Sequence, residues 1–149
     1  MLFRSKVVGI NDLGSVKMNA HLLKYDSIHG MFATDIDIDK DILDVGAGPI
    51  KVSAERYPAN LPWNDLDVDI AFECTGLFTD RESASKHIDA GAAKVLISAP
   101  AKDVDMTVVY GVNHDKLEAH QPAASHEKRN NAVQGKMGEQ GCGRSRKKK

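Results

Sequence analysis

The alternation of apolar and polar positions divides the chain into short segments of two kinds. Residues 6–10 (KVVGI) form an apolar run closed by Asn11-Asp12, the pattern of a short buried strand. Over residues 15–24, Val16, Ala20 and Leu23, with Met18 beside them, recur at helical spacing and predict an amphipathic helix. Phe32, Thr34, Ile36 and Ile38 then alternate with Ala33, Asp35, Asp37 and Asp39, which predicts a strand with one wet face. Two further strands are predicted around residues 42–45 and 50–54, joined by the turn Gly46-Ala47-Gly48-Pro49.

After Pro58 and Pro62 the grammar changes. Residues 68–73 (VDIAFE) predict a strand. Thr79-Asp80-Arg81-Glu82 matches a capping box and opens a helix that packs through Ala84, His87 and Ile88. Gly91 stands where a left-handed helix stop belongs. Residues 94–98 (KVLIS) are the next buried strand, ended by Ala99-Pro100, and residues 106–111 (MTVVYG) are the last strand that the pattern places. Strand, helix and strand joined by short links imply parallel pairing with right-handed crossovers. The expected fold class is therefore α/β. It is a Rossmann-type doubly wound parallel sheet, incomplete, with an antiparallel meander inserted and a disordered basic tail.

The tail is a matter of composition. Residues 1–117 hold 12 basic and 18 acidic side chains, whereas residues 118–149 hold 8 basic and 3 acidic ones. From Glu118 onward the only larger aliphatic residues are Val133 and Met137, too few to offset the entropy of ordering. Two regions are expected: an α/β body at 1–117 and a disordered basic tail at 118–149. The final Arg144-Ser145-Arg146-Lys147-Lys148-Lys149 offers a grip for phosphates but no aromatic ring to stack bases. A nucleic-acid partner is therefore disfavoured against a solvated tail. Cys74 and Cys142 set no disulfide framework and no metal-ligand spacing, so no metal is expected. No apolar run approaches the roughly 18 residues of a membrane span. The first residues lack a secretory signal, and the expected compartment is the reducing cytoplasm.

In doubly wound sheets, ligands bind at the carboxyl ends of the strands. That rule selects Asn11-Asp12, Cys74-Thr75-Gly76, Ser98-Ala99-Pro100 and the turn at Gly111. A carboxylate at Asp12 can accept hydrogen bonds from ribose hydroxyls and would repel a 2′-phosphate, favouring NAD over NADP. By spacing alone, a turn or a helix cap is the commoner role for such an Asp. Thr75-Gly76 offers a hydroxyl and an unhindered backbone, and Ser98 a second hydroxyl at the next strand end.

Several motifs together carry a family resemblance. Asn11-Asp12-Leu13-Gly14 and residues 19–30, ending in Tyr25-Asp26-Ser27-Ile28-His29-Gly30, resemble the second strand and following helix of bacterial glyceraldehyde-3-phosphate dehydrogenases. Leu61-Pro62-Trp63, Glu73-Cys74-Thr75-Gly76-Leu77-Phe78, residues 95–100 and Tyr110-Gly111-Val112-Asn113 continue the resemblance in order, over about residues 7–117. It implies that NAD is the cofactor. Asp12 would hold the adenosine ribose with Asn11 beside it, and Arg56 would approach the adenine through its backbone. Thr75, Gly76 and Phe78 would line the groove, and Ser98 would near the nicotinamide. Tyr25, Asp26 and His29 are expected to be structural.

The resemblance has limits. The family's opening glycine loop has only a partial mimic in residues 8–14, where Asp12 would stand in place of a phosphate-facing glycine, so the second-strand register is preferred. After residues 111–117 the family expects a further strand and then Ser-Asn-Ala-Ser-Cys-Thr-Thr-Asn, whose cysteine is the nucleophile. Cys142 lacks that context, and no catalytic residue is assigned. The expectation is a cofactor-binding portion of a phosphorylating dehydrogenase, inactive alone, its tail foreign to the family. The sugar phosphate, whether glyceraldehyde 3-phosphate or erythrose 4-phosphate, and any homo-oligomer are left open. The alternative is a non-catalytic module whose basic tail contacts nucleic acid or acidic partners.

Overall fold

A computed structural model of the chain describes residues 5–117 and 123–126. The elements are β1 (Gly9–Asn11), α1 (Val16–Lys24), β2 (Tyr25–Asp26), β3 (Gly30–Met31), β4 (Asp37–Asp39), β5 (Ile42–Asp44) and β6 (Pro49–Ser53), followed by β7 (Ile70–Glu73), α2 (Arg81–Asp89), β8 (Lys94–Ile97), β9 (Met106–Val108) and β10 (Ala123–His126). They fall into two compact units. One holds the described residues through Val68 together with Asp89–Ala92, and the other holds Asp69–Ile88 and the described residues from Ala93 on.

In the first unit, period-two patterning builds a sheet of order β1-β6-β5-β4. β1 runs parallel to β6, Gly9 opposite Lys51 and Asn11 opposite Ser53, while β6, β5 and β4 form the expected antiparallel meander. Ile50 and Val52 of β6 point inward with Leu43 of β5 and Ala20 of α1, and Ile10, Val16, Ile36 and Val45 pack around them. α1 starts where the Ser15 hydroxyl accepts the Met18 N–H at 3.2 Å. A small alanine at the contact lets the helix lie close to the sheet.

The strand expected across residues 32–38 is not formed as such. Only Asp37–Asp39 pairs, with β5, and β2 and β3 make a separate two-stranded hairpin. Phe32 and Ile38 remain 36% and 42% exposed, so most of the apolar phase of that alternation meets no covering layer and only Ile36 reaches the core. Alternation specifies a strand only where one face is buried.

The second unit holds an all-parallel sheet of order β7-β8-β10-β9. Val95 and Ile97 of β8 face Ala84 of α2 and Ala123 of β10, with Ile88, Ala99, Ala101 and Val104 packed against them. The helix stripe Ala84, His87, Ile88 is the one that the pattern selects. Its cap lies one residue later than the capping-box match. Asp80, not Thr79, accepts the third-residue N–H, from Ser83 at 2.8 Å.

β10 lies beyond the expected boundary at residue 117, within the stretch expected to form the tail. Ala123 and Ala124, 2% and 5% exposed, are ladder partners of Val95 and Met106 in the sheet interior. The Asp105 carboxylate accepts the Ala123 N–H at 2.9 Å, and Asp105 N–H donates to the Ala123 carbonyl at 3.0 Å. Two alanines carry little transfer energy, so a criterion built on large aliphatics overlooks a strand held by its ladder on both sides. The rest of the expected tail, with its basic end and Cys142, lies outside the described residues. No described helix is long and apolar enough to cross a membrane.

Gly91 ends α2 in the left-handed region at φ +110°. A Cβ there would stand 2.5 Å from Asn64 Cβ and 2.7 Å from its backbone, which is fixed by an Asn64 N–H bond to the Ala90 carbonyl at 3.0 Å. Strain and overlap add, so Gly91→Ala should destabilise the chain by roughly 2–4 kcal/mol. Urea unfolding followed by circular dichroism should show the loss in the midpoint. An unchanged midpoint would mean that the Asn64 segment does not press on Gly91.

Candidate functional site

In the first unit, the sheet edge is organised by Asn11, the last residue of β1. Its Nδ2 donates to the Glu55 carbonyl at 2.9 Å. Its Oδ1 accepts the Glu55 N–H at 2.8 Å and the Ser53 hydroxyl at 3.0 Å. The amide thus extends the β1–β6 ladder by one residue after the two backbones part. Both ends of the amide are thus engaged within the fold, as a brace.

Asp12 follows and is exposed. One carboxylate oxygen accepts the Gly14 N–H at 2.6 Å, and the other carries no hydrogen bond among the described residues. The turn reading of Asp12 therefore accounts for one oxygen and leaves the other open. Arg56 is exposed directly after the braced Glu55. A shallow depression of about 480 Å³ adjoins this edge, lined by Gly14, Ser15 and Lys17, by Lys40 and Asp41, and by Ser53 and Ala54.

In the second unit, strand alternation turns Ala71 and Glu73 of β7 inward and leaves Phe72 and Cys74 exposed. Glu73 and His87 are 3% and 5% exposed, the buried ionisable residues among those described. Glu73 Oε2 lies 2.9 Å from His87 Nε2. Glu73 Oε1 accepts both the Thr75 N–H, at 2.7 Å, and the Thr75 hydroxyl. The Thr75 oxygen in turn accepts the Leu77 N–H at 3.1 Å. Burial pushes the Glu73 carboxyl up, but the hydrogen bonds from His87 and Thr75 outweigh it and hold it below its usual range.

The predicted residues of this unit gather at one edge. The Ser98 N–H donates to the Glu73 carbonyl at 2.9 Å, which sets Ser98 beside the end of β7 with its side chain exposed. Thr75 and Gly76 are exposed in the adjoining turn, and Phe78 is half-buried. Gly76 adopts φ +74° with open space where a Cβ would stand. The Thr75 hydroxyl is engaged on both sides within the turn, so what the turn presents outward is the Gly76 backbone and the Leu77 side chain.

Pattern reading finds His87 as part of a packing stripe but overlooks its bond to Glu73. The available signal was a Glu on the inward phase of a strand together with a His on the inward stripe of the next helix. His29 and Asp26 form a local fixture, as expected: Asp26 accepts both the His29 N–H and the His29 ring at 2.6 and 3.1 Å. At the end of β9 the Asn113 amide accepts the Val109 N–H and donates to the Thr107 carbonyl, at 2.7 and 3.0 Å. Among the described residues no three His, Cys, Asp or Glu side chains gather in metal-binding geometry.

Asn11→Ala would leave the half-buried Glu55 backbone groups without their partner. A loss of about 1–3 kcal/mol in urea unfolding is expected, and near-neutral behaviour would deny the bracing role. Glu73 makes a second prediction. Its folded pKa lies below the ordinary value, so its bonds stabilise the fold fully above about pH 4.5 and fade as pH falls through the depressed value. Unfolding midpoints of the parent chain should drop on moving from neutral pH to about pH 3 by more than those of Glu73→Gln.

Residues 3–81 match the family model described as glyceraldehyde 3-phosphate dehydrogenase, NAD binding domain. Among curated relatives, the glyceraldehyde-3-phosphate dehydrogenase of Xanthobacter flavus is 59% identical over 112 residues, covering 75% of this chain and 33% of that protein. The Pseudomonas aeruginosa enzyme of the same name is 59% identical over 114 residues, covering 76% and 34%. That of Geobacillus stearothermophilus is 50% identical over 121 residues, covering 81% and 35%. The chain thus spans about one third of the length of these relatives.

Proposed function

The chain belongs to the glyceraldehyde-3-phosphate dehydrogenase family through its NAD-binding domain, and from that premise we propose that it is the cofactor-holding portion of a phosphorylating dehydrogenase of the cytoplasm. The observation that carries the reading is the free carboxylate oxygen of Asp12, exposed at the carboxyl end of β1 and aimed by the Gly14 bond on its twin. A ribose diol offers the two donors that such an oxygen accepts, and a 2′-phosphate would meet like charge. The open Gly76 backbone suits a bulky ligand, because no side chain stands in the way. Phe78 would contribute apolar lining, Ser98 a hydroxyl toward the nicotinamide, and the Arg56 backbone a contact to the adenine.

NAD, when bound, supplies the hydride acceptor. The residues described here bind and orient; none of them provides the thiolate nucleophile or the base that aldehyde oxidation needs. Those groups come from elsewhere in the enzyme, whether from the same polypeptide or another. The substrate is an aldehyde sugar phosphate.

Calorimetric titration of the chain with NAD and with NADP tests the reading. Saturable NAD binding is expected, with NADP weaker and with Asp12→Ala weakening NAD by about tenfold or more, the loss of one charge-assisted bond. If the parent chain takes up no NAD, or if Asp12→Ala binds NAD as well as the parent, the assignment is wrong.

A further inference from the structure

We propose that Glu73, held by His87, is a positioning residue that sets the turn Thr75-Gly76-Leu77 in its ligand-receiving form. The proposal rests on the cofactor reading above for the identity of the ligand, but not for the state of the turn.

Glu73 occupies a position where packing alone would call for an apolar side chain. On the same side of this small sheet stand Ala71, Val95 and Ile97, all buried. Burying a carboxylate among them is costly unless each oxygen is matched by donors. Here the match is specific. Oε2 takes the imidazole of His87, and Oε1 takes the N–H and the hydroxyl of Thr75. Two of these three contacts therefore go to one residue of an exposed turn, and not to the core that buries Glu73.

The consequence runs along the turn. Because the Thr75 hydroxyl gives its proton to Glu73, its lone pair faces Leu77 and accepts that N–H at 3.1 Å. The residues on both sides of Gly76 are thereby fixed from within, and Gly76 holds φ +74° between them. Without the relay, a solvent-exposed turn with a central glycine has many conformations open to it, and ligand binding would have to offset their loss. Thr75 thus serves the site through Glu73 and Leu77, and the Gly76 backbone faces outward beside the exposed Leu77 side chain.

The test uses the full chain and four substitutions, read by amide hydrogen exchange in NMR and by NAD calorimetry. Thr75→Val removes the relay on the exposed side and leaves the Glu73–His87 pair in place; Thr75→Ser restores the hydroxyl. Glu73→Ala removes the anchor, and Glu73→Gln keeps an acceptor toward Thr75. Thr75→Val and Glu73→Ala should speed exchange at Leu77 by about tenfold or more relative to β8 amides, and weaken NAD by a similar factor. Thr75→Ser and Glu73→Gln should stay within about threefold of the parent. Unchanged Leu77 exchange in Thr75→Val would overturn the proposal, as would a Thr75→Ser variant no better than Thr75→Val. Should Glu73→Ala fail to fold, the two Thr75 variants decide alone. Should the parent chain bind no NAD, the cofactor reading falls while the exchange data still decide whether Glu73 sets the turn.

Discussion

Where a parallel strand ends, its backbone parts from the neighbour that was satisfying it, and the first loop groups must find other partners. In this chain the strand-end side chains provide them. Asn11 does so at the end of β1 for both polar groups of Glu55. Glu73 does so at the end of β7 for the Thr75 N–H, and Asn113 follows β9 and ties back to Val109 and Thr107. Each is a planar, two-ended group that can stand in for a missing peptide. The candidate ligand-facing residues come directly after two of these braces, so their geometry depends on them.

The three braces are not equivalent in cost. An amide has a donor and an acceptor, which is what a parting peptide needs, and it carries no charge to desolvate. Asn11 and Asn113 therefore need no further support. Glu73 meets a different demand, because the Thr75 N–H, the Thr75 hydroxyl and His87 all point donors at it. A carboxylate accepts at both oxygens and suits that set better than an amide, whose NH2 would face the imidazole. Its charge then makes the turn an acid-sensitive part of this unit, through the lowered Glu73 carboxyl.

How far the sequence revealed this depends on what kind of force holds each part. The meander, α1, β7, α2 and β8 rest on apolar side chains at regular spacing, and their patterns point to them directly. Gly91 was visible for the same kind of reason, as a backbone need that one residue type meets. The segment at 32–36 misled because only Ile36 of its apolar phase is covered, and β10 was hidden because its two buried residues are alanines held by ladder bonds. The edge residues Asp12, Thr75, Gly76 and Ser98 were selected by the strand-end rule and by family resemblance. Their partners were not, because a buried polar pair such as Glu73 and His87 shows itself only when two elements are brought together. Either residue alone reads as a strand terminus or a packing contact.

This bears on what side-chain identity means at the two edges. Asn11 and Thr75 stand at positions where a ligand role suggests itself, yet their polar atoms are engaged within the fold. Their types are required by the chain's own backbone, and a substitution there would disturb a ligand only by disturbing the turn that receives it. Asp12 differs, since one oxygen serves the turn and the other is open. In the reading proposed above, discrimination between the two nicotinamide cofactors falls on that oxygen, where the sign of the charge decides. Affinity falls on how well the braces hold the turns before any ligand arrives, because order already present need not be supplied on binding.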